Sequence, residues 1–175
     1  LPSHIPHSVK VEMERLSSSD CEKRLNAVYQ LADMGQDAIP AIPYLINNLR
    51  YYSMPHQIPF DCGSGKATPA ALANIGTPAI NPLIDVLADE EWGVREGASE
   101  ALLMMGKLAI GPLIKVLKED SDPEIRLAAA EILGRIKDKQ AVEPLIDVLR
   151  NDAVPEVRGK AAKVLAELKD ERAVK

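Results

Sequence analysis

Gly63-Ser64-Gly65-Lys66-Ala67-Thr68 holds the residue types of a phosphate-cradling loop: glycines, a lysine and a nearby hydroxyl. That chemistry needs an earlier glycine, a hydroxyl directly after the lysine and a preceding strand. Here the earlier glycine position falls on Phe60, Ala67 follows Lys66, and no strand pattern precedes them. The segment reads instead as an entry into a helix, with Thr68-Pro69 as a second candidate start. The histidines are His4, His7 and His56. A metal site built from His56, Asp61 and Cys62 would lack the ligand spacing that such sites use. A nucleophilic Cys62 would need an oriented base. Only His56 is near it in sequence, and nothing places its ring. Cys21 and Cys62 lie 41 residues apart. A disulfide between them is not geometrically excluded. Two thiols in an acidic helical chain are expected to be reduced. No catalytic residue, metal or cofactor is assigned, and the expectation is that the chain is not an enzyme.

The elements that must position any site are repeated. Pro43-Tyr44-Leu45-Ile46, Pro82-Leu83-Ile84, Pro112-Leu113-Ile114 and Pro144-Leu145-Ile146 are copies of one phrase, with Leu83, Leu113 and Leu145 spaced 30 and 32 residues apart. A period of that size marks a stacked-repeat protein. A second phrase follows each first one: Arg24 to Ala27, Arg95 to Ala98, Arg126 to Ala129 and Arg158 to Ala161. The apolar positions one before the arginine and three, seven and ten after it share one helix face. Each unit is thus a helix A, a short turn and a helix B, with B helices expected to start near residues 20, 64, 93, 123 and 155. The units run over about 8–35, 37–76, 78–106, 108–137 and 140–169. Asp122-Pro123-Glu124 supplies an N-cap, a first-position proline and a first-turn acid. Gly35, Gly76 and Gly106 stand where B helices need a left-handed terminus. No window alternates with period two over a strand's length. The fold class is all-α.

The combined pattern resembles the HEAT-like repeats of the phycobilin-lyase type over nearly the whole chain, best in the third to fifth units. The resemblance implies a right-handed α-α superhelix of about five repeats, an α-solenoid with B helices lining a concave face. It also implies that the helix-B arginines, Arg24, Arg95, Arg126 and Arg158, serve a structural ladder, with Asp89, Asp120 and Asp152 as candidate partners. Gly65 occupies the arginine position of the second unit, where the ladder is expected to break. Proteins of this type include bilin-lyase subunits, iron-dependent hydroxylases, a DNA-glycosylase branch and plain adaptors, so the fold does not choose a function. The paired His-Glu motifs of the hydroxylases are absent.

Composition narrows the classes. Of 175 residues, 46% are hydrophobic, 27% charged and 3% aromatic. The core is therefore expected to be Leu, Ile, Val and Ala. The net charge of −5 argues against nucleic acid, whose phosphates call for a basic stripe. No apolar run reaches membrane length and no signal peptide is visible, so the expected setting is cytoplasmic, away from membranes. Lys169 to Lys175 matches Lys137 to Glu143, which leads into the next helix A. The chain reads as part of a longer array, and Val164 and Leu168 are expected to present apolar surface to a sixth unit.

The least repetitive stretch is an insert over residues 51–64. With Tyr44 it holds Tyr51, Tyr52 and Phe60, in a chain with four tyrosines, one phenylalanine and one tryptophan. Trp92 lies in the A–B turn of the next unit, about 10 Å along the stack by ordinary helix spacing. Tyr51, Tyr52, His56, Phe60 and Trp92 can therefore gather on one edge. The insert either folds onto Trp92 as its own small core or leaves a patch for a partner. The B-helix face adds Tyr29, Glu100, Glu131 and Lys163, a mixed polar row. The reading is a scaffold that binds a protein or peptide through this face and the aromatic edge. The alternatives are a bilin-lyase-type subunit handling a tetrapyrrole, and a purely structural array within a larger chain.

Overall fold

A computed structural model describes residues 5–52 and 63–168. Among the described residues every regular element is helical. In chain order they are α1 (His7–Leu16), α2 (Cys21–Met34), α3 (Ile42–Asn48), α4 (Ser64–Ile75), α5 (Ile80–Asp85), α6 (Trp92–Met105), α7 (Lys107–Glu119), α8 (Pro123–Ile136), α9 (Val142–Asn151) and α10 (Pro155–Leu168). Short 3₁₀ helices precede α3, α5 and α9 and follow α3. The even-numbered helices start within a residue or so of the five positions that the arginine register predicts. No described helix is long and apolar enough to cross a membrane.

Local chemistry sets the helix ends. Asp20 caps α2 by accepting the amides of Glu22 and Lys23, at 3.0 and 3.3 Å. Asp122 caps α8 through the Glu124 amide at 2.9 Å, with Pro123 at the first helical position. Gly76 and Gly106 close their helices at φ 83° and 54°, values that glycine adopts without Cβ strain. Lys137 does the same work at φ 58° as the one non-glycine in that region among the described residues. The Thr68-Pro69 pair does not start a helix. α4 runs through it, and the Thr68 hydroxyl donates to the Ser64 carbonyl at 2.7 Å.

The chain forms two compact units, one through Met105 and one from Gly106. In the first, α2 packs on α1 and α4, and α4 on α6. Its core is aliphatic: Val28, Leu31, Leu45, Leu72, Leu83 and Leu102 are fully buried or nearly so. A Cβ on Gly97 of α6 would lie 2.7 Å from Leu49 Cδ2, so Gly97 belongs to a close helix contact rather than to an open face. In the second unit α7 and α10 pack on α8, and α9 on α10. Leu113, Leu117, Leu133, Leu145 and Val157 have no exposed surface. Val164 does not present apolar surface as the sequence suggested: it is 4% exposed because α8 offers Gly134 beneath it. Leu168 is half-buried.

Cys21, the first residue of α2, is disulfide-bonded. This corrects the expectation of a reduced thiol. Cys62 lies outside the described residues.

Candidate functional site

The arginine register positions the polar chemistry of both units. Each arginine lies in the first turn of its helix, and its Nη1 turns back onto the carbonyls of the preceding turn. Arg24 donates to Ser18 O at 2.6 Å. Arg95 donates to Asp89 O at 2.6 Å and Glu90 O at 2.9 Å. Arg126 reaches Asp120 O at 2.8 Å, and Arg158 reaches Asp152 O at 2.8 Å. These bonds satisfy carbonyls between helices that would otherwise lack a partner. The arginine thus clamps its own turn through main-chain oxygens, and its own turn's carboxylate is not the acceptor.

The carboxylate contact runs to the following helix pair. Arg126 Nε and Nη2 meet Asp152 Oδ2 and Oδ1, both at 2.9 Å, a bidentate fork. The side chains are 10% and 7% exposed. Hydrogen bonding from Arg126 holds the Asp152 carboxyl below the usual carboxylate range, and the same bond raises the Arg126 pKa above its ordinary value. Asp152 Oδ1 also accepts the Val154 amide at 2.8 Å, which fixes the turn into α10.

The first unit solves the same position differently. Arg24 is 9% exposed, and its guanidinium lies over the Tyr51 ring, 4.7 Å from the centroid. A cation over an aromatic face is attracted by the ring's quadrupole. Tyr51, half-buried at the end of the 3₁₀ helix Leu49–Tyr51, is therefore engaged inside the unit. Gly65 stands in the arginine position because there is no room for a side chain. A Cβ there would fall on the carbonyl group of Tyr51 and the amide nitrogen of Tyr52. Beside this contact the Asn48 amide donates to Thr68 Oγ1 at 2.7 Å in a buried site.

Trp92 is the first residue of α6 and is 56% exposed. Its neighbour Glu91 faces Arg50 of the preceding helix pair at 3.7 Å. Trp92 therefore stands on the same edge as the end of the 3₁₀ helix that carries Tyr51. It is not buried as a small core among the described residues. Tyr52 is half-buried. His56 and Phe60 lie outside the described residues, as does most of the 51–64 insert.

The polar row on the B helices divides between the units. In the first, Tyr29 is exposed and Glu100 half-buried. In the second, Glu131 and Lys163 are exposed. Glu131 accepts from Lys160 Nζ at 2.6 Å across α8 and α10, and this bond lowers the Glu131 pKa below its ordinary value. Met104, on the same face of α6 as Glu100, is exposed too, and two further exposed apolar residues, Ile39 and Leu108, were not singled out from sequence. Their register marks them as non-core, which is the signal that was available.

Residues 110–175 match the family model for HEAT repeats. That span covers most of the second unit, whose paired helices are similar to those of HEAT repeats. No curated protein matches the chain.

Proposed function

We propose that this protein is a non-catalytic interaction scaffold in which all five helix pairs are HEAT-like repeats. HEAT repeats commonly serve to bind proteins, and the partner here is a protein or peptide. The observation that carries the reading is Trp92. It is the chain's one tryptophan, and it stands more than half exposed at a helix start, beside a polar rim of Arg50 and Glu91. Tryptophan is among the residues that dominate binding energy at interfaces, above all inside a polar rim. A core role would have buried it. The B-helix row, with Tyr29, Glu100, Glu131 and Lys163, contributes a broader polar surface of lower energy per residue.

The test compares proteins retained from native lysate by the immobilised chain and by two variants. Trp92→Ala should weaken retention of a specific partner by about tenfold or more, the loss expected of an interface hot spot. Lys163→Ala should change it little, since exposed charges contribute little. Retention unaffected by Trp92→Ala but lost on Lys163→Ala would move the site to the B-helix row.

A further inference from the structure

Two aromatic rings stand on one edge of the first unit, and they differ in what covers them. The Tyr51 ring lies under the Arg24 guanidinium, whose Cζ is 4.7 Å from the ring centroid. Trp92 is 56% exposed. Among the described residues no cation lies over its indole, and no acceptor takes its ring N–H. Of the aromatic side chains, tryptophan offers a cation the most favourable face. The chain thus fills the weaker of the two sites from within and leaves the stronger one open.

The charges near the indole are unequally engaged. Asp89 Oδ1 accepts the Glu91 amide at 2.9 Å, which shapes the turn into α6. Glu91 faces Arg50 at 3.7 Å. Arg95, in the first turn of α6, points its Nη1 back onto the Asp89 and Glu90 carbonyls at 2.6 and 2.9 Å. Two carboxylates remain. Glu90 is exposed in the turn directly before Trp92. Half-buried Glu96 lies one helical turn after Trp92, on the same helix face. Among the described residues neither carboxylate has a hydrogen bond or an ion pair. A bare indole between two unpaired acids attracts a cation and repels an anion.

We infer that the Trp92 edge takes an arginine side chain from a basic segment of the partner. The guanidinium lies over the indole as Arg24 lies over Tyr51, and its N–H groups donate to Glu90 and Glu96. Arginine suits the site better than lysine, because a planar guanidinium stacks on a ring and donates outward at the same time. The indole supplies the contact area, and the two acids set the sign of the charge. The inference rests on the reading of Trp92 as the residue that binds the partner, and adds the chemistry of what it binds.

The probe is a short peptide of alternating glycine and arginine, titrated into the full chain. Trp92 is the chain's one tryptophan, so its fluorescence reports the contact directly. The arginine peptide should change the emission saturably. The same peptide with citrulline for arginine, which keeps the shape without the charge, should bind about tenfold more weakly. By calorimetry, Trp92→Ala should weaken the arginine peptide by about fivefold, and Glu90→Gln and Glu96→Gln by about two- to fivefold each. Arg50→Gln should strengthen it by about twofold, because it removes a competing cation. Glu119→Gln, an exposed acid of the second unit, changes the net charge equally and should leave binding unchanged. Equal binding of the arginine and citrulline peptides would overturn the inference. So would a loss on Glu119→Gln as large as that on Glu96→Gln, since net charge alone would then account for binding. A chain that loses its lysate partner on Trp92→Ala yet ignores the arginine peptide keeps Trp92 as the binding residue and overturns only the arginine. A lysate partner retained in full by Trp92→Ala overturns the underlying reading, whatever the peptide does.

Discussion

Asp152→Ala should destabilise the unit from Gly106 onward by about 3 kcal/mol, the low end of the loss from breaking a buried ion pair. The substitution leaves the Arg126 guanidinium with two unpaired donors in a site where its side chain is only 10% exposed. It also removes the acceptor of the Val154 amide, so the turn into α10 loses its fixing bond. The low end is appropriate because the pair lies at a turn, where water can enter as α10 shifts. Replacing both partners, Arg126→Leu with Asp152→Leu, should recover part of the loss, because no buried charge then remains unpaired. Denaturant melts of the two single variants and the double variant measure the coupling. Three melts whose losses are additive would mean that the fork contributes no stability of its own.

The same pair sets an acid limit. The folded carboxyl of Asp152 titrates below its unfolded value of about 3.9, because Arg126 favours its charged form. A group with a depressed folded pKa binds fewer protons folded than unfolded. Its contribution is therefore fully present above the unfolded value and is lost as the pH falls through the folded one. The second unit should lose stability below about pH 4, and Asp152→Ala should flatten that loss. Glu131, also lowered, by Lys160, adds in the same direction but weakly, since it is more than half exposed.

What was legible in the sequence follows from where the information is local. The Arg-x-x-Ala phrase and the capping residues fixed the B helices almost to the residue, since a 3.6-residue period and an N-cap are properties of a single segment. Arg126 and Asp152 were both visible as ladder residues. That the fork joins consecutive pairs, while each arginine clamps its own turn through carbonyls, depends on how helices stack, which no single segment encodes. Val164 was read as presenting apolar surface to a sixth unit. Its burial depends on Gly134, thirty residues earlier, leaving room for it. Trp92, read onto the edge of the insert, is more than half exposed, whereas the ring of Tyr51, read onto the same edge, lies under Arg24, a contact between two units of the repeat that no single segment encodes.

Gly65→Ala should be the more damaging change within the first unit, costing about 3 kcal/mol or more, at or above the usual range for overpacking. In the sequence Gly65 looked like a lost arginine, a weakened copy of the repeat. In the fold it is the contact that lets α4 lie against the 3₁₀ helix Leu49–Tyr51. The added methyl would meet main-chain atoms of Tyr51 and Tyr52, and no rotamer change can relieve a backbone clash. α4 would have to move away, and the Asn48–Thr68 bond at 2.7 Å would stretch with it. Asn48 is 2% exposed, so its amide would be left buried without a partner, a further cost of about 1–3 kcal/mol if the bond is lost outright. The Tyr51 ring under Arg24 would shift as well, which links this glycine to the cation–π contact on the neighbouring helix. Two other helical glycines calibrate the effect. Gly97→Ala meets the Leu49 side chain, which can rotate, and should cost less. Gly159→Ala meets nothing and should be neutral or stabilising by about 0.5–1 kcal/mol, from helix propensity alone. Denaturant midpoints in the order Gly159→Ala, wild type, Gly97→Ala and Gly65→Ala, highest first, are the expected result. A Gly65→Ala protein as stable as wild type would mean that α4 does not approach Tyr51 so closely, and that the arginine was simply lost from the second repeat.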